Sequence, residues 1–510
     1  MGAKQPNILY LMMDQLAPQV LSPWGGEVCR TPNIEALAEQ GVVFENAYCN
    51  YPICAPARFA FMSGRLPSRI GAYDNATEFP CEVPTFSHYL RNMGYHTCLS
   101  GKMHFVGPDQ LHGFEDRVTT DVYPSDFTWT TDWSLSTDTW FPWYHSMSGV
   151  LNAGAHRRSV NTDYDQAVAV EASRWLHDHA DIANGRPFFL AASFISPHDP
   201  YLAPQPYWDS YDGVKIDDPI VAELDFDDQD PHSQRLYYTT GRHMEAVGAR
   251  DVRNMRRAYY AVMSWIDERI GDILAALEAI GEKDNTIIVL AADHGDMLGE
   301  RGLFYKMSFF EFSSRIPMIV HAPGRFRAGR RSENVSLIDL MPTFLQWAHG
   351  GTGPELHAPI DGHSLNDLLE GEGGSWPDVV YGEYTAEGTQ WPLLMVRRGR
   401  HKYIYGEEDP PLLYDLQADP NELDNLAGRE TVADVEKNLH QEVFDTWDPK
   451  RLRTEVLQSQ RRRLWLSQVL NTGKKTPWDY QPYRDASREF VREVEDAQSM
   501  LSTEWGAQKR

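Results

Sequence analysis

Four stretches of the chain, residues 7–13, 187–196, 285–292 and 316–321, are apolar at nearly every position instead of at alternate ones. A strand buried on both faces reads this way, and such strands belong to parallel sheets covered by helices on either side. Between them lie segments with helical spacing; the longest, residues 252–280, supplies a crossover helix ahead of the third strand. The expected fold class is α/β, a large mixed, mostly parallel sheet flanked by helices. The texture changes at residues 370–377, EGEGGSWP, where glycines mark a linker. Beyond it, PLLMVRRGRHKYIYG and PLLYDLQADPNELDNLAG each have the form of a hairpin, and from about Asp434 the pattern is charged, aromatic and helical. Two units are expected: an α/β domain over 1–372, and a C-terminal subdomain over 373–510 with a smaller antiparallel sheet, helices and a helical tail.

One short helix raises a chemical question. In YPICAPARFAFMSGRLPSR, Pro56 suits a first helical turn and Gly64 a C-cap, so Cys54 falls at the helix N-terminus with Arg58 one turn on. Unpaired N–H donors at such an end favour an anion, either a thiolate or a bound oxyanion. A buried cysteine filling a core gap is the plainer alternative.

Composition narrows the classes. The chain has 510 residues and a formal net charge of −26, which argues against a phosphate backbone as partner. No apolar run is long enough to span a membrane, and the first residues pass into a strand without a secretory pattern, so no membrane association and a cytoplasmic location are expected. The five cysteines, Cys29, Cys49, Cys54, Cys81 and Cys98, are odd in number and lack CxxC spacing, which fits neither a disulfide framework nor a zinc site.

In open α/β sheets ligands bind beyond the carboxyl ends of the strands. Those ends hold Asp14 and Gln15, His198 and Asp199, and Asp293, His294 and Asp296. Carboxylates with an amide oxygen and an imidazole suit Ca²⁺, Mg²⁺ or Mn²⁺. Lys102 and His104, two apart, share a side if the segment is extended, giving a cation and a base for an oxyanion. Lys306 stands among aromatics after Asp293, where a substrate could supply its counter-charge, and Asn75 reads as a turn residue or a ligand.

The string CAPAR followed by MSGRLPSR matches the C-x-P-x-R signature of sulfatases, and GKMHFVGPDQLHGFE, DPHSQR, ADHGDMLGERGL and PWDYQP resemble choline sulfatases of the alkaline phosphatase superfamily. The resemblance implies an alkaline-phosphatase-like fold and a cysteine converted to formylglycine, here Cys54, by a formylglycine-generating enzyme. It implies one divalent metal, with Ca²⁺ first and Mn²⁺ or Mg²⁺ as alternatives, held by Asp14, Cys54 as formylglycine, Asp293 and His294, with Gln15 a further ligand. Many sulfatases carry aspartate where Gln15 stands and asparagine where His294 stands; the pairs here resemble the choline sulfatase and phosphonate monoester hydrolase branch. Arg58, Asn75, Lys102, His104, His198 and Lys306 match positions that hold the formylglycine hydrate and the sulfate or act as acid and base.

The implied reaction is hydrolysis of a small alkyl sulfate ester, choline-O-sulfate first. One hydrate oxygen attacks sulfur, His198 with Lys306 protonates the leaving alcohol, and His104 deprotonates the second hydroxyl so that sulfate leaves. Residues 123–145 concentrate four tryptophans, two tyrosines and two phenylalanines, and aromatic faces bind quaternary ammonium groups. Trp129 and His145 stand in strings that resemble choline sulfatases and are the candidates for the cationic head, with Glu387 as its carboxylate partner. The family also implies a homo-oligomer, dimer or tetramer; past Arg492 the likeness weakens, with Asp496 a lesser candidate. Two alternatives stand beside it: an aryl sulfatase or phosphonate or phosphate monoester hydrolase of the same superfamily, and an unmodified, inactive protein that binds a sulfate ester.

Overall fold

The computed structural model describes residues 5–141, 143–182, 185–371, 374–474 and 478; the expected domain boundary at 372/373 and Asp496 lie outside the described residues. The strands among them are β1 (Asn7–Asp14), β2 (Val42–Tyr48), β3 (His96–Gly101), β4 (Asp116–Arg117), β5 (Gly154–His156), β6 (Phe188–Pro197), β7 (Leu202–Pro204), β8 (Thr286–Ala292), β9 (Arg315–His321), β10 (Gly329–Ser336), β11 (Val379–Tyr384), β12 (Leu393–Arg398), β13 (His401–Gly406) and β14 (Leu412–Asp415).

The large sheet has eight strands in the order β10-β2-β9-β8-β1-β6-β3-β4. Its centre is the set of continuous apolar runs: β1, β6 and β8 are buried at every position. β1 pairs in parallel with β6 and with β8, Met13 opposite both Phe194 and Ala292. Three strands therefore finish at one level of the sheet, which gathers Asp14, His198 and Asp293 at a single edge. β9 runs antiparallel to both β2 and β8, the mixed element in an otherwise parallel sheet. The helix Ala249–Ala279 precedes β8 and packs on the helix Val160–Ile182, covering one face. The helix Cys54–Ser63 is buried throughout and ends at Gly64 with φ 64°, the left-handed C-cap that glycine adopts without strain.

The second sheet is antiparallel, β11-β12-β13-β14, and PLLMVRRGRHKYIYG forms its β12–β13 hairpin. The second expected hairpin is not one. Only Leu412–Asp415 is a strand, paired with β13, because the following Asp, Pro and Asn residues take turns instead of returning. Lys402, fully buried, joins this sheet to the segment leading into β9 through Glu311 at 2.6 Å, and it also pairs with Glu422 of the loop after β14 at 2.9 Å. The helices Ala433–Thr446 and Pro449–Leu470 follow. All five cysteines are unpaired, and no helix among the described residues is long and apolar enough to cross a membrane.

Candidate active site

Asp14 is the last residue of β1, and Gln15 turns the chain away from the sheet with φ 66°. A non-glycine residue in this left-handed region is held there by its surroundings. Its backbone N–H donates to Asp293 Oδ1 at 3.0 Å, its amide nitrogen to Asp296 Oδ2 at 2.6 Å, and its Oε1 accepts from Lys306 Nζ at 2.6 Å. Lys306 is itself flanked by Tyr305 at φ 67° and Met307 at φ 72°. On the other side of β6, Gly101 ends β3 where a Cβ would fall 1.9 Å from the Ser193 carbonyl oxygen, so only glycine lets Lys102 start its turn this close to the sheet.

Beneath the edge lies a buried ionic cluster. Arg58 Nε donates to Asp293 Oδ2 at 2.8 Å and its Nη2 to Asp14 Oδ2 at 2.9 Å, while Nη1 reaches the Lys102 carbonyl and Ser193 Oγ. Lys102 Nζ pairs with the same Asp14 oxygen and lies 4.1 Å from the centre of the Tyr123 ring. Burial opposes the charge on Asp14, but Lys102 and Arg58 outweigh it and hold the carboxyl well below its usual range. Two cations thus balance two carboxylates, as burial of charge demands.

The remaining carboxylate oxygens face Cys54. Its Sγ is 3.3 Å from His294 Nε2 and 3.7 Å from Asp14 Oδ1. One donor atom from each of Asp14, Cys54, Asp293 and His294 lies within 4.8 Å of the others, all buried. Carboxylate oxygens with one imidazole fit a hard divalent cation, and a +2 ion here would leave the balanced cluster net positive, which suits an anionic ligand. Gln15 lies beside this cluster with its side-chain oxygen committed to Lys306. Burial, with Asp14 second, pushes the Cys54 thiol up to about 11, so the helix N-terminus does not make it a thiolate at neutral pH. The Asn75 side-chain oxygen accepts from the Ala55 N–H at 3.0 Å and occupies one donor of that terminus.

Above the cluster opens a cavity of about 410 Å³. Cys54, Asn75, His198 and Lys306 line it together with Tyr123, Trp129, Trp143, Tyr144 and His145. His198 Nδ1 donates to the Asp199 carbonyl oxygen at 2.7 Å, which leaves Nε2 to accept from Lys306 at 2.7 Å, a tautomer assigned from these partners. Burial, then Lys306, holds His198 well below its ordinary range, so the ring is neutral. His145 stacks on Tyr305 with centroids 4.2 Å apart, and its Nδ1 meets Asp199 Oδ2 at 3.2 Å.

Of the expected site residues, Cys54, Asn75, Trp129, His145, His198 and Lys306 line this cavity, Asp14, Gln15, Arg58, Lys102, Asp293 and His294 belong to the buried groups around Cys54, and His104 packs on Tyr123 and Trp129. Glu387 is 1% exposed, is not among the lining residues, and accepts from Thr131 Oγ1 at 2.9 Å. Lys102 and His104 are not on one extended strand: His104 sits at φ 59°, and its backbone N–H donates to Asp121 at 2.7 Å. The left-handed turn brings both side chains to Tyr123, the His104 ring at 5.1 Å and 5.9 Å from Tyr123 and Trp129. Neither ring nitrogen of His104 has a partner among the described residues, and burial followed by Lys102 lowers its pKa to about 3. Sequence reasoning did not find the Asp199–His145 contact, which joins residues 54 positions apart, or Asp74, whose partner Arg463 is 389 residues away. Asp199 and His145 are each legible, one at a strand end and one in the aromatic stretch, but their contact is not, and Asp74 is signalled only by its place before Asn75.

A fold with its ligating edge at the ends of parallel strands, and a buried cysteine over a carboxylate–imidazole cluster, is matched over residues 6–351 by the family model described as Sulfatase. The chain belongs to the sulfatase family and is a sulfuric ester hydrolase; these enzymes generally work with a formylglycine and a divalent metal. Within the family, the model described as choline sulfatase enzyme C terminal matches residues 454–500, and that of the N-sulphoglucosamine sulphohydrolase C-terminus matches 299–448. The choline-sulfatase of Rhizobium meliloti (strain 1021) is 41% identical over 498 residues, 96% of each chain. An arylsulfatase of Clostridium perfringens is 29% identical over 451 residues, 84% of this chain and 91% of that one. The crystal structure of the phosphonate monoester hydrolase of Agrobacterium radiobacter shares the fold, with a TM-score of 0.68 at 23% identity over 89% of this chain and 96% of that one.

Proposed function

We propose that the chain hydrolyses choline-O-sulfate to choline and inorganic sulfate. The observation that carries this reading is the cavity itself: its floor offers Cys54, His198 and Lys306 to an anion, and its wall offers Trp129, Trp143, Tyr123 and His145 to the other end of a small molecule. Aromatic faces attract a quaternary ammonium by about 0.5–2 kcal/mol per contact. The relationship to the Rhizobium meliloti choline-sulfatase supports the same substrate.

In this reading Asp14, Asp293, His294 and residue 54 hold a divalent metal, Ca²⁺ for preference, with Gln15 beside them; the formylglycine made from Cys54 by a formylglycine-generating enzyme supplies a hydrate with two oxygens on one carbon, and the metal supplies Lewis acidity. Arg58 orients Asp14 and Asp293 and supplies their counter-charge. Lys102, Lys306 and the start of the helix Cys54–Ser63 stabilise charge on the sulfuryl oxygens, with Asn75 at their edge. Lys306 and His198 together give a proton to the leaving alkoxide, and His104, neutral and unpartnered, takes one from the hydroxyl that remains. Trp129 and His145 receive the trimethylammonium head, and Glu387 sets a carboxylate behind the wall. Five unpaired cysteines favour a reducing compartment, hence the cytoplasm, and we expect a homo-oligomer.

The test compares kcat/KM for choline-O-sulfate, 4-nitrophenyl sulfate and a phenyl phosphonate monoester. Choline-O-sulfate is expected to lead. An equal or better aryl sulfate would remove the head-group reading, and a leading phosphonate would move the chain to another activity of the superfamily.

A further inference from the structure

Three of the candidate site residues, Asn75, Trp129 and Glu387, each have a sequence neighbour tied, directly or through Trp133, to the helix Pro449–Leu470. Arg463 of that helix is 4% exposed and forks onto Asp74, Nη1 to Oδ1 at 2.5 Å and Nη2 to Oδ2 at 2.8 Å; Asp74 precedes Asn75. The same Nη1 reaches Thr130 Oγ1 at 3.3 Å, and Thr130 follows Trp129. One turn earlier, Gln460 Oε1 accepts from the Trp133 N–H at 2.9 Å, and the Trp133 indole donates to the Ala386 carbonyl at 2.9 Å, next to Glu387. Gln460, Trp133, Thr130 and Asp74 are all buried. A planar guanidinium bonded to both oxygens of a carboxylate fixes direction as well as distance.

From this convergence we infer that Arg463 is a positioning residue for substrate selection, and that the helix Pro449–Leu470 holds the head-group wall at a set distance from the sulfate end. Asn75 keeps its own bond to the Ala55 N–H, so the sulfate end is anchored from a second side. The turn Phe127–Trp129 ends on Thr130, which Arg463 holds, so loss of the clamp falls on the wall. Arg463 touches neither the cavity nor the buried ionic cluster, and its action runs through Asp74 and Thr130. It also lies inside the stretch matched by the choline sulfatase C-terminal model, residues 454–500, which begins within this helix.

The inference rests on the choline-O-sulfate reading, and the experiment separates the two. Wild type is assayed with choline-O-sulfate, with its neutral isostere 3,3-dimethylbutyl sulfate and with 4-nitrophenyl sulfate, each resolved into kcat and KM. Arg463→Met alone strands the Asp74 charge in the interior and can fail to fold, so the main variant is the pair Asp74→Asn with Arg463→Met, which buries no lone ion. Its KM for choline-O-sulfate should rise at least about 10-fold while values for 4-nitrophenyl sulfate change less than about 3-fold, the signature of a lost cation contact and not of a damaged fold. Arg463→Lys, which keeps the charge and loses the fork, should fall between the pair and wild type. Equal losses on both substrates, or an unchanged KM in the pair, would overturn the positioning role and leave the substrate reading intact. A wild type that does not prefer choline-O-sulfate over its isostere would overturn both, because the wall would then have no cationic head to select.

Discussion

Lys306 Nζ lies 2.7 Å from His198 Nε2, and the ammonium is the donor. The Nδ1 hydrogen of His198 is already used on the Asp199 carbonyl, so the proton nearest a leaving group is the one on Lys306. A choline alkoxide is a far poorer leaving group than 4-nitrophenolate and needs that proton more. Lys306→Met should therefore lower kcat for choline-O-sulfate by about 10²–10⁴-fold and for 4-nitrophenyl sulfate by much less. Equal losses on the two would assign Lys306 to sulfate binding alone.

Cys54→Ala should reduce turnover by about 10⁴-fold or more with the fold retained, since the side chain is small and its loss strands no ion. Mass spectrometry of the peptide carrying residue 54 checks the companion claim. Unaltered cysteine in active enzyme from its native host would remove formylglycine from the mechanism.

Trp129→Ala should raise KM for choline-O-sulfate by up to about 30-fold, the equivalent of about 2 kcal/mol of cation–π attraction, and leave 4-nitrophenyl sulfate within about 3-fold. Parallel losses would mean that Trp129 matters through its packing on Tyr123, 4.9 Å away.

Much of the architecture is legible in the sequence for a physical reason. β1, β6 and β8 are buried on both faces, which forces continuous apolar runs, and a parallel sheet puts chemistry at the strand ends, so Asp14, His198 and Asp293 can be placed with no coordinates. The helix start at Cys54 carries its own punctuation in Pro56 and Gly64. What stays hidden depends on long-range contact: the Arg463–Asp74 clamp and the withdrawal of Glu387 behind the wall leave no local pattern. The left-handed turns at Gln15 and His104 are hidden too, because neither residue type announces positive φ and the surrounding contacts impose it. In the second hairpin-like piece, apolar residues PLLY begin a strand, and the turn residues that suggest a return lead into a loop instead.

In metal-free protein, Arg58→Met should lower the unfolding free energy by about 3–5 kcal/mol, because Asp293 loses its cation while Asp14 keeps Lys102. Denaturant titration reads the loss, and added Ca²⁺ should recover part of it by supplying the missing charge. No recovery with any divalent ion would argue against a metal at this cluster.

Glu387 gives the pH dependence. Burial, with Asp74 second, raises its carboxyl to about 7 from an ordinary 4.5. Between those values the folded chain keeps a proton that the unfolded chain has lost, so the penalty is absent at low pH, grows as pH rises and is complete above 7. Glu387→Gln should then be near neutral at pH 4 and stabilising by up to about 3 kcal/mol at pH 8, read as a difference in Tm that widens with pH. A constant difference would mean that the carboxyl titrates normally.

β1 is zipped to a neighbour on each side and is apolar on both faces. Deleting one residue between Ile8 and Met12 would let the ladder re-form one step out of phase, with greasy side chains simply exchanging faces. The slip would carry Tyr10 off its stack on Phe61, 4.7 Å away, and turn the tip of the strand over, aiming the Asp14 carboxylate away from Cys54. Such a variant should lose stability and turnover together, since one count of residues sets both the packing of the two faces and the aim of the site.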